Sequence, residues 1–192
     1  MNEARLQLEK VAMEKAEPLA RATLETARQK LGMIPNMYAY MANAPGLLET
    51  YRTGYELFRQ GSGLSPVEQE VVFLSISYEN GCEYCMAAHS FLADVESKVP
   101  TAVTEALREG RDIPDARLRA LSRFTRALVQ KRGRPRQTDL DLFHDAGYTD
   151  AQVLQIILAI GVKTLSNYTN HVCDTPVDSA FQKRAWTQSA AG

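Results

Sequence analysis

The chain has 192 residues, 45% of them apolar, with 22 Lys and Arg set against 23 Asp and Glu. A net charge of −1 excludes a basic nucleic-acid binder and an acidic disordered tail. Eight Pro and eleven Gly are ordinary usage, which excludes low complexity, and the length fits one domain. A chain of this size buries roughly 70% of its unfolded surface, enough for a core without covalent staples. The N-terminal MNEARLQLEK lacks the apolar stretch of a secretory leader. The most apolar run, Ile156 to Val162, is far short of the ~20 residues that cross a bilayer. We therefore expect a cytoplasmic protein. Three cysteines, two of them three residues apart, point there to metal binding or redox chemistry rather than a disulfide framework.

Helical spacing dominates the chain. Residues 4 to 31 set Leu6, Leu8, Val11, Leu19, Leu24 and Leu31 among good helix formers, with Pro18 opening a second helix and Gly32 and Pro35 ending it. Asn43 to Gly46 is a turn, and Leu47, Tyr51, Tyr55 and Phe58 return to a 3.6-residue period up to Gln60. Ser65, Pro66 and Glu68 combine the signals of a helix start, and the segment that follows to Asn80 is apolar nearly all round, hence central. Asn80-Gly81 ends it, and a new helix begins at or near Cys82.

Farther along, Ile113-Pro114-Asp115 starts a basic amphipathic helix, with Leu118, Leu121, Phe124, Leu128 and Val129 on one face. From Arg111 to Arg136 nine Lys and Arg stand against Asp112 and Asp115, which we read as a solvated face or subunit contact because no nucleic-acid motif accompanies them. Gly147 closes a short helix in which His144 reads as a surface residue. Thr149-Asp150 caps a long apolar helix from about Ala151 to Asn170, and Asp174-Thr175-Pro176 ends it. About nine helices and no strand predict an all-α fold.

The chemistry concentrates between Leu64 and Leu92, where Cys82, Cys85 and His89 form C-x-x-C-x-x-x-H. Positions i, i+3 and i+7 share one helix face, so both thiols and the imidazole point the same way. Cys82 sits where unpaired N–H groups and the helix dipole favour a thiolate, whereas Cys85 is nearer the base His89. A vicinal dithiol beside a base suits peroxide reduction or thiol–disulfide exchange: one thiolate attacks and its neighbour resolves the product as a disulfide. Haem attachment fails because Met86, not His, follows Cys85. A zinc site recruiting His171 or Cys173, and inert buried cysteines, are the competing readings. Asn167, Asn170, His171 and Cys173 either satisfy a helix end or, for Asn170 and His171, line the thiol pocket.

At these residues the sequence resembles the AhpD-like alkylhydroperoxidases of the carboxymuconolactone decarboxylase superfamily. The family pattern is a Glu one helix upstream of C-x-x-C-x-x-x-H, and Glu70 stands twelve residues before Cys82. Close likeness covers residues 64–92, with weaker likeness at Leu31 to Asn36, Asn167 to His171 and Thr175-Pro176, as in the longer, peroxidase-related branch. The resemblance implies an AhpD-like helical bundle, a single domain over 1–192, with no cofactor or metal. It implies a homo-oligomer (trimer or hexamer), a hydroperoxide substrate and a dithiol or thiol-protein reductant; the charge balance and the short apolar runs predict neither nucleic acid nor membrane as partner. It assigns Glu70 to hold and polarise His89, Cys85 to attack, and Cys82 to be the more exposed resolving partner. Glu83 and Tyr84 replace a His found there in other members, and an acidic Glu83 is expected to raise nearby thiol pKa values. Two other functions stand beside this one. The first is a lactone enzyme like carboxymuconolactone decarboxylase, whose kind lacks the paired cysteines; the second is a non-enzymatic zinc-bound or redox-sensing helical module.

Overall fold

Ser65 caps the helix around which the others pack. Its hydroxyl accepts the Glu68 N–H at 3.3 Å while the Glu68 carboxylate takes the Ser65 N–H at 2.8 Å, a reciprocal capping box. The computed structural model describes residues 4–188, with nine α-helices and no strand among them. They are α1 (Pro18–Leu31), α2 (Asn36–Met41), α3 (Pro45–Gly61), α4 (Pro66–Glu79), α5 (Glu83–Val95), α6 (Thr101–Arg108), α7 (Ala116–Gln130), α8 (Gln137–Asp145) and α9 (Asp150–Cys173). Short 3-10 turns lie at Met13–Lys15 and Ser179–Arg184.

As its all-round apolarity predicts, α4 is central and packs against α5, α6, α7 and α9. Val71, Val72, Phe73, Leu74 and Ile76 are wholly buried, each worth roughly 1.5–3 kcal/mol of transfer free energy. They join Phe58, Leu121, Phe124 and Phe143 in the larger core cluster. A second cluster, built from α1, α2, α3, the start of α5 and α9, holds Leu24, Met41, Leu48, Tyr51, Val162 and both Cys82 and Cys85. Tyr55 and Leu158 pack against both clusters, so one helical domain results and the paired cysteines sit near its seam.

Three expectations need correction. Residues 4–12 form no helix: Leu6 N–H donates to the Val172 carbonyl and Val11 N–H to that of Ala39, leaving Leu6 and Leu8 exposed. In α1 the buried face is Ala20, Thr23, Leu24 and Ala27, while Leu19 and Leu31 face outward. The sequence reading also passes over α2 and α6, each eight residues or shorter and without side-chain caps. The basic α7 pairs most of its charges within the chain: Arg117 with Glu68, Arg123 with Asp112, Arg126 with Glu79 and, just past it, Lys131 with Asp139, while Arg119 donates to the Ile113 and Pro114 carbonyls. No helix among the described residues is long and apolar enough to cross a membrane.

The approach of α3 to α9 depends on Gly54, where an added Cβ would lie 2.7 Å from Val162 Cγ2. Gly54→Ala should destabilise by about 1–3 kcal/mol despite its better helix propensity. Gly161→Ala, where nothing lies within 4 Å, should stabilise by roughly 0.5–1 kcal/mol. Urea midpoints of the two variants check this, and equal shifts would refute the close approach.

Candidate active site

The turn Asn80-Gly81, with Gly81 at φ 64°, reverses the chain from α4 into α5 and makes Cys82 the N-cap residue. Cys85 and His89 follow on the buried face of α5, and Glu70 projects toward them from α4. All four residues are buried, Glu70 and Cys82 completely. Glu70 Oε2 lies 2.8 Å from His89 Nδ1, and Glu70 Oε1 accepts from the Arg59 guanidinium. Arg59 also donates to the Tyr55 hydroxyl at 2.8 Å and to Gln69 Oε1 at 3.1 Å, and its guanidinium lies over the Phe73 ring. That ring also packs against His89, with centroids 4.8 Å apart.

Burial pushes the Glu70 carboxyl up, but His89 and Arg59 outweigh it and hold Glu70 below the ordinary value. An ionised carboxylate only accepts, so His89 Nδ1 carries the hydrogen. Burial, with the charge of Lys163, lowers the His89 pKa despite Glu70. The neutral imidazole therefore presents Nε2 as a base.

The two thiols differ sharply. Donation of its S–H to Cys85, then burial, raises Cys82 well above the usual thiol value. Burial also raises Cys85, but Cys82, the Lys163 ammonium and His89 together bring it well below that value. Asn170 directs its amide nitrogen at both sulfurs, 3.3 Å from Cys85 Sγ and 3.8 Å from Cys82 Sγ. Ser166 Oγ lies 3.8 Å from Cys85 Sγ.

The sulfurs border different spaces. Cys85, His89 and Lys163 line a cavity of about 560 Å³ walled by Tyr38, Tyr51, Tyr55, Phe91 and Phe181. Cys82 borders a more polar groove with Asn80, Glu83 and His171.

Several sequence expectations change here. Cys82 is not the more exposed thiol, since the pocket of α2, α5 and α9 residues encloses both. The helix-terminus argument for an acidic Cys82 loses to its donation toward Cys85 and its burial, which outweigh the lowering pull of the Cys85 backbone N–H. Glu83 is exposed and is not among the principal groups acting on either thiol. Asn170 lines the thiol site, whereas Asn167 Oδ1 accepts from Asn80 at 2.8 Å. Cys173 is free and buried, and His144 pairs at the surface with Asp150. Among the described residues no three His, Cys, Asp or Glu converge to hold a metal.

Arg59 and Lys163 are missing from the sequence reading. Lys163 was detectable: it is the sole Asp, Glu, Lys or Arg between Asp150 and Asp174, in an otherwise apolar helix. It is wholly buried and its ammonium has no hydrogen-bond partner.

Residues 45–128, which include Glu70, Cys82, Cys85 and His89, match the model of the carboxymuconolactone decarboxylase family. Over this segment the chain is similar to that family. Among solved structures it is similar to a peroxidase-related protein of Ralstonia eutropha JMP134, described as an alkylhydroperoxidase AhpD core. The TM-score is 0.80 and the identity 21%, over 91% of this chain and 93% of that one. A peroxidase-related protein of Silicibacter sp. TM1040 gives 0.75 and 24%, over 94% and 95%. The debrominase Bmp8, as a cysteine-to-alanine variant with 2,3,4-tribromopyrrole, gives 0.76 and 16%, over 95% and 97%. Comparison with curated proteins yields no match. These likenesses establish an AhpD-like fold.

The His89 shift has a consequence for stability. With its folded pKa below 6.5, His89 contributes stability that is complete above about pH 6.5 and lost as pH falls through the folded value. Glu70, lowered from 4.5, adds a further loss at lower pH. Thermal unfolding followed by circular dichroism should show stability declining from pH 7 to about pH 5, and His89→Gln should flatten that decline. An unchanged slope in the variant would refute the buried neutral imidazole.

Proposed function

We propose that this protein is a thiol-dependent peroxidase that reduces hydroperoxides through a Cys82–Cys85 dithiol/disulfide cycle, with Glu70 and His89 as its proton relay. The observation that carries this reading is the contrast between neighbouring sulfurs, one favoured as thiolate and the other as thiol, beside an oriented imidazole. The likeness of residues 45–128 to the family and the AhpD-like fold support a peroxidase-related role.

In the cycle, the Cys85 thiolate attacks a peroxide oxygen. The O–O bond breaks, Cys85 becomes a sulfenic acid, and a proton from solvent passes through His89 Nε2 to the departing alkoxide. The Cys82 sulfur then attacks Cys85 Sγ, and hydroxide leaves with the Cys82 proton as water. One hydroperoxide and two thiols become an alcohol, water and a disulfide. An external dithiol or thiol protein restores the pair by exchange. Glu70 keeps the His89 tautomer fixed and stabilises the imidazolium formed in passing.

The cycle predicts that Cys85→Ser and Cys82→Ser each abolish peroxide turnover supported by a dithiol, and that His89→Gln lowers it by about 10²–10⁴. Coupled oxidation of the dithiol measures this. Full activity in either serine variant would reject the two-cysteine cycle. Turnover of a muconolactone that survives thiol alkylation would establish the lactone reaction instead.

A further inference from the structure

Cys85 lies among groups from four helices. From its own helix come Cys82, Tyr84 and His89, and α3 brings Tyr51, with Arg59 and Tyr55 behind it on the Glu70 side. Tyr38 of α2, with Arg52 and Glu56 of α3, lines the outer part of the cavity. Tyr84 turns away, its hydroxyl bonded to Asp178. Burial raises both Tyr51 and Tyr84, so they remain neutral.

Setting the tyrosines and Asp178 aside leaves the Arg59–Glu70 pair and Lys163. Arg59 and Glu70 neutralise each other. Lys163, from α9, is wholly buried, its Nζ lies 5.6 Å from the Phe73 ring centroid, and it has neither a carboxylate nor a hydrogen-bond partner. An isolated ammonium in such a place is expensive. The geometry brings it to Cys85: both line the same cavity, and Ser166 joins them. The Ser166 hydroxyl donates to the Lys163 carbonyl at 3.1 Å and lies 3.8 Å from Cys85 Sγ.

We infer that Lys163 is the buried counter-ion of the Cys85 thiolate, positioning and activating that sulfur without exchanging a proton with the substrate. This deepens the peroxidase reading by naming a group that prepares the attacking sulfur. The inference also has a redox corollary. Reduction of the Cys82–Cys85 disulfide by dithiothreitol yields the Cys85 thiolate, the Cys82 thiol, oxidised dithiothreitol and one released proton. Lys163 favours the reduced side, because the disulfide leaves its ammonium without an anion. The disulfide is therefore a stronger oxidant than it would be beside a neutral residue.

Alkylation of the reduced full-length protein by iodoacetamide across pH tests this, with Cys85 followed by fragment mass spectrometry. Lys163→Met should move the Cys85 reactivity midpoint up by at least one pH unit. The rate below the midpoint should fall about tenfold while the high-pH plateau is kept. Lys163→Arg should retain the low midpoint. In dithiothreitol exchange, Lys163→Met should shift the equilibrium about tenfold toward disulfide, or about 30 mV.

A Lys163→Met midpoint equal to that of the natural chain, or a plateau that falls with it, would overturn the proposal. Should that variant fail to fold, a Cys85 midpoint at or above about 8.5 in the natural chain would overturn it equally. Alkylation needs no peroxide, so loss of the peroxidase reading alone would leave this result intact.

Discussion

The fully buried carboxylate of Glu70 organises the centre of this molecule. A charge taken out of water at that depth must be matched on both oxygens, and it is, by Arg59 on one and His89 on the other. Meeting that requirement fixes three helices relative to one another: α3 through Arg59, α4 through Glu70 and α5 through His89. It also fixes a tautomer, because a carboxylate that can only accept leaves His89 Nε2 as the free base. Arg59 is held in turn by the Tyr55 hydroxyl, by Gln69 and by the face of Phe73. The aromatic packing beside the site thus supports its electrostatics.

The same reasoning separates the two cysteines. A helix N-terminus lowers a thiol pKa when its N–H groups reach the sulfur, and at Cys82 the pull of the Cys85 N–H is outweighed by S–H donation to Cys85 and by burial. Direct neighbours decide instead: Cys82 lends its hydrogen to Cys85, and Asn170 and Lys163 approach the pair from α9. Two chemically identical residues three positions apart thereby acquire different protonation, which an attack-and-resolve cycle requires.

Features encoded by adjacent residues were legible in the sequence. The capping boxes at Ser65 and Thr149, the break at Asn80-Gly81 and the apolar circumference of α4 all rest on local chemistry, and each is where the pattern placed it. Residues 4–12 carried helix-forming composition, but backbone bonds to α2 and α9 hold them open, a tertiary effect invisible to propensity. The motif Cys82, Cys85, His89 was readable as one face of a helix. The reach of Glu70 to His89 followed from family likeness rather than spacing. Arg59 was hidden among ordinary surface-type arginines, since its role arises where α3 passes α4. Lys163 did leave a mark, a lone charge in an apolar helix, whose meaning depended on knowing what α9 faces.

Treatment of the reduced protein with one equivalent of hydroperoxide, followed by mass analysis of the peptide holding Cys82 and Cys85, tests the central claim most directly. The account predicts a loss of two hydrogens within that peptide, restored by a dithiol. An unchanged peptide mass, or an added oxygen with no link between the sulfurs, would contradict it.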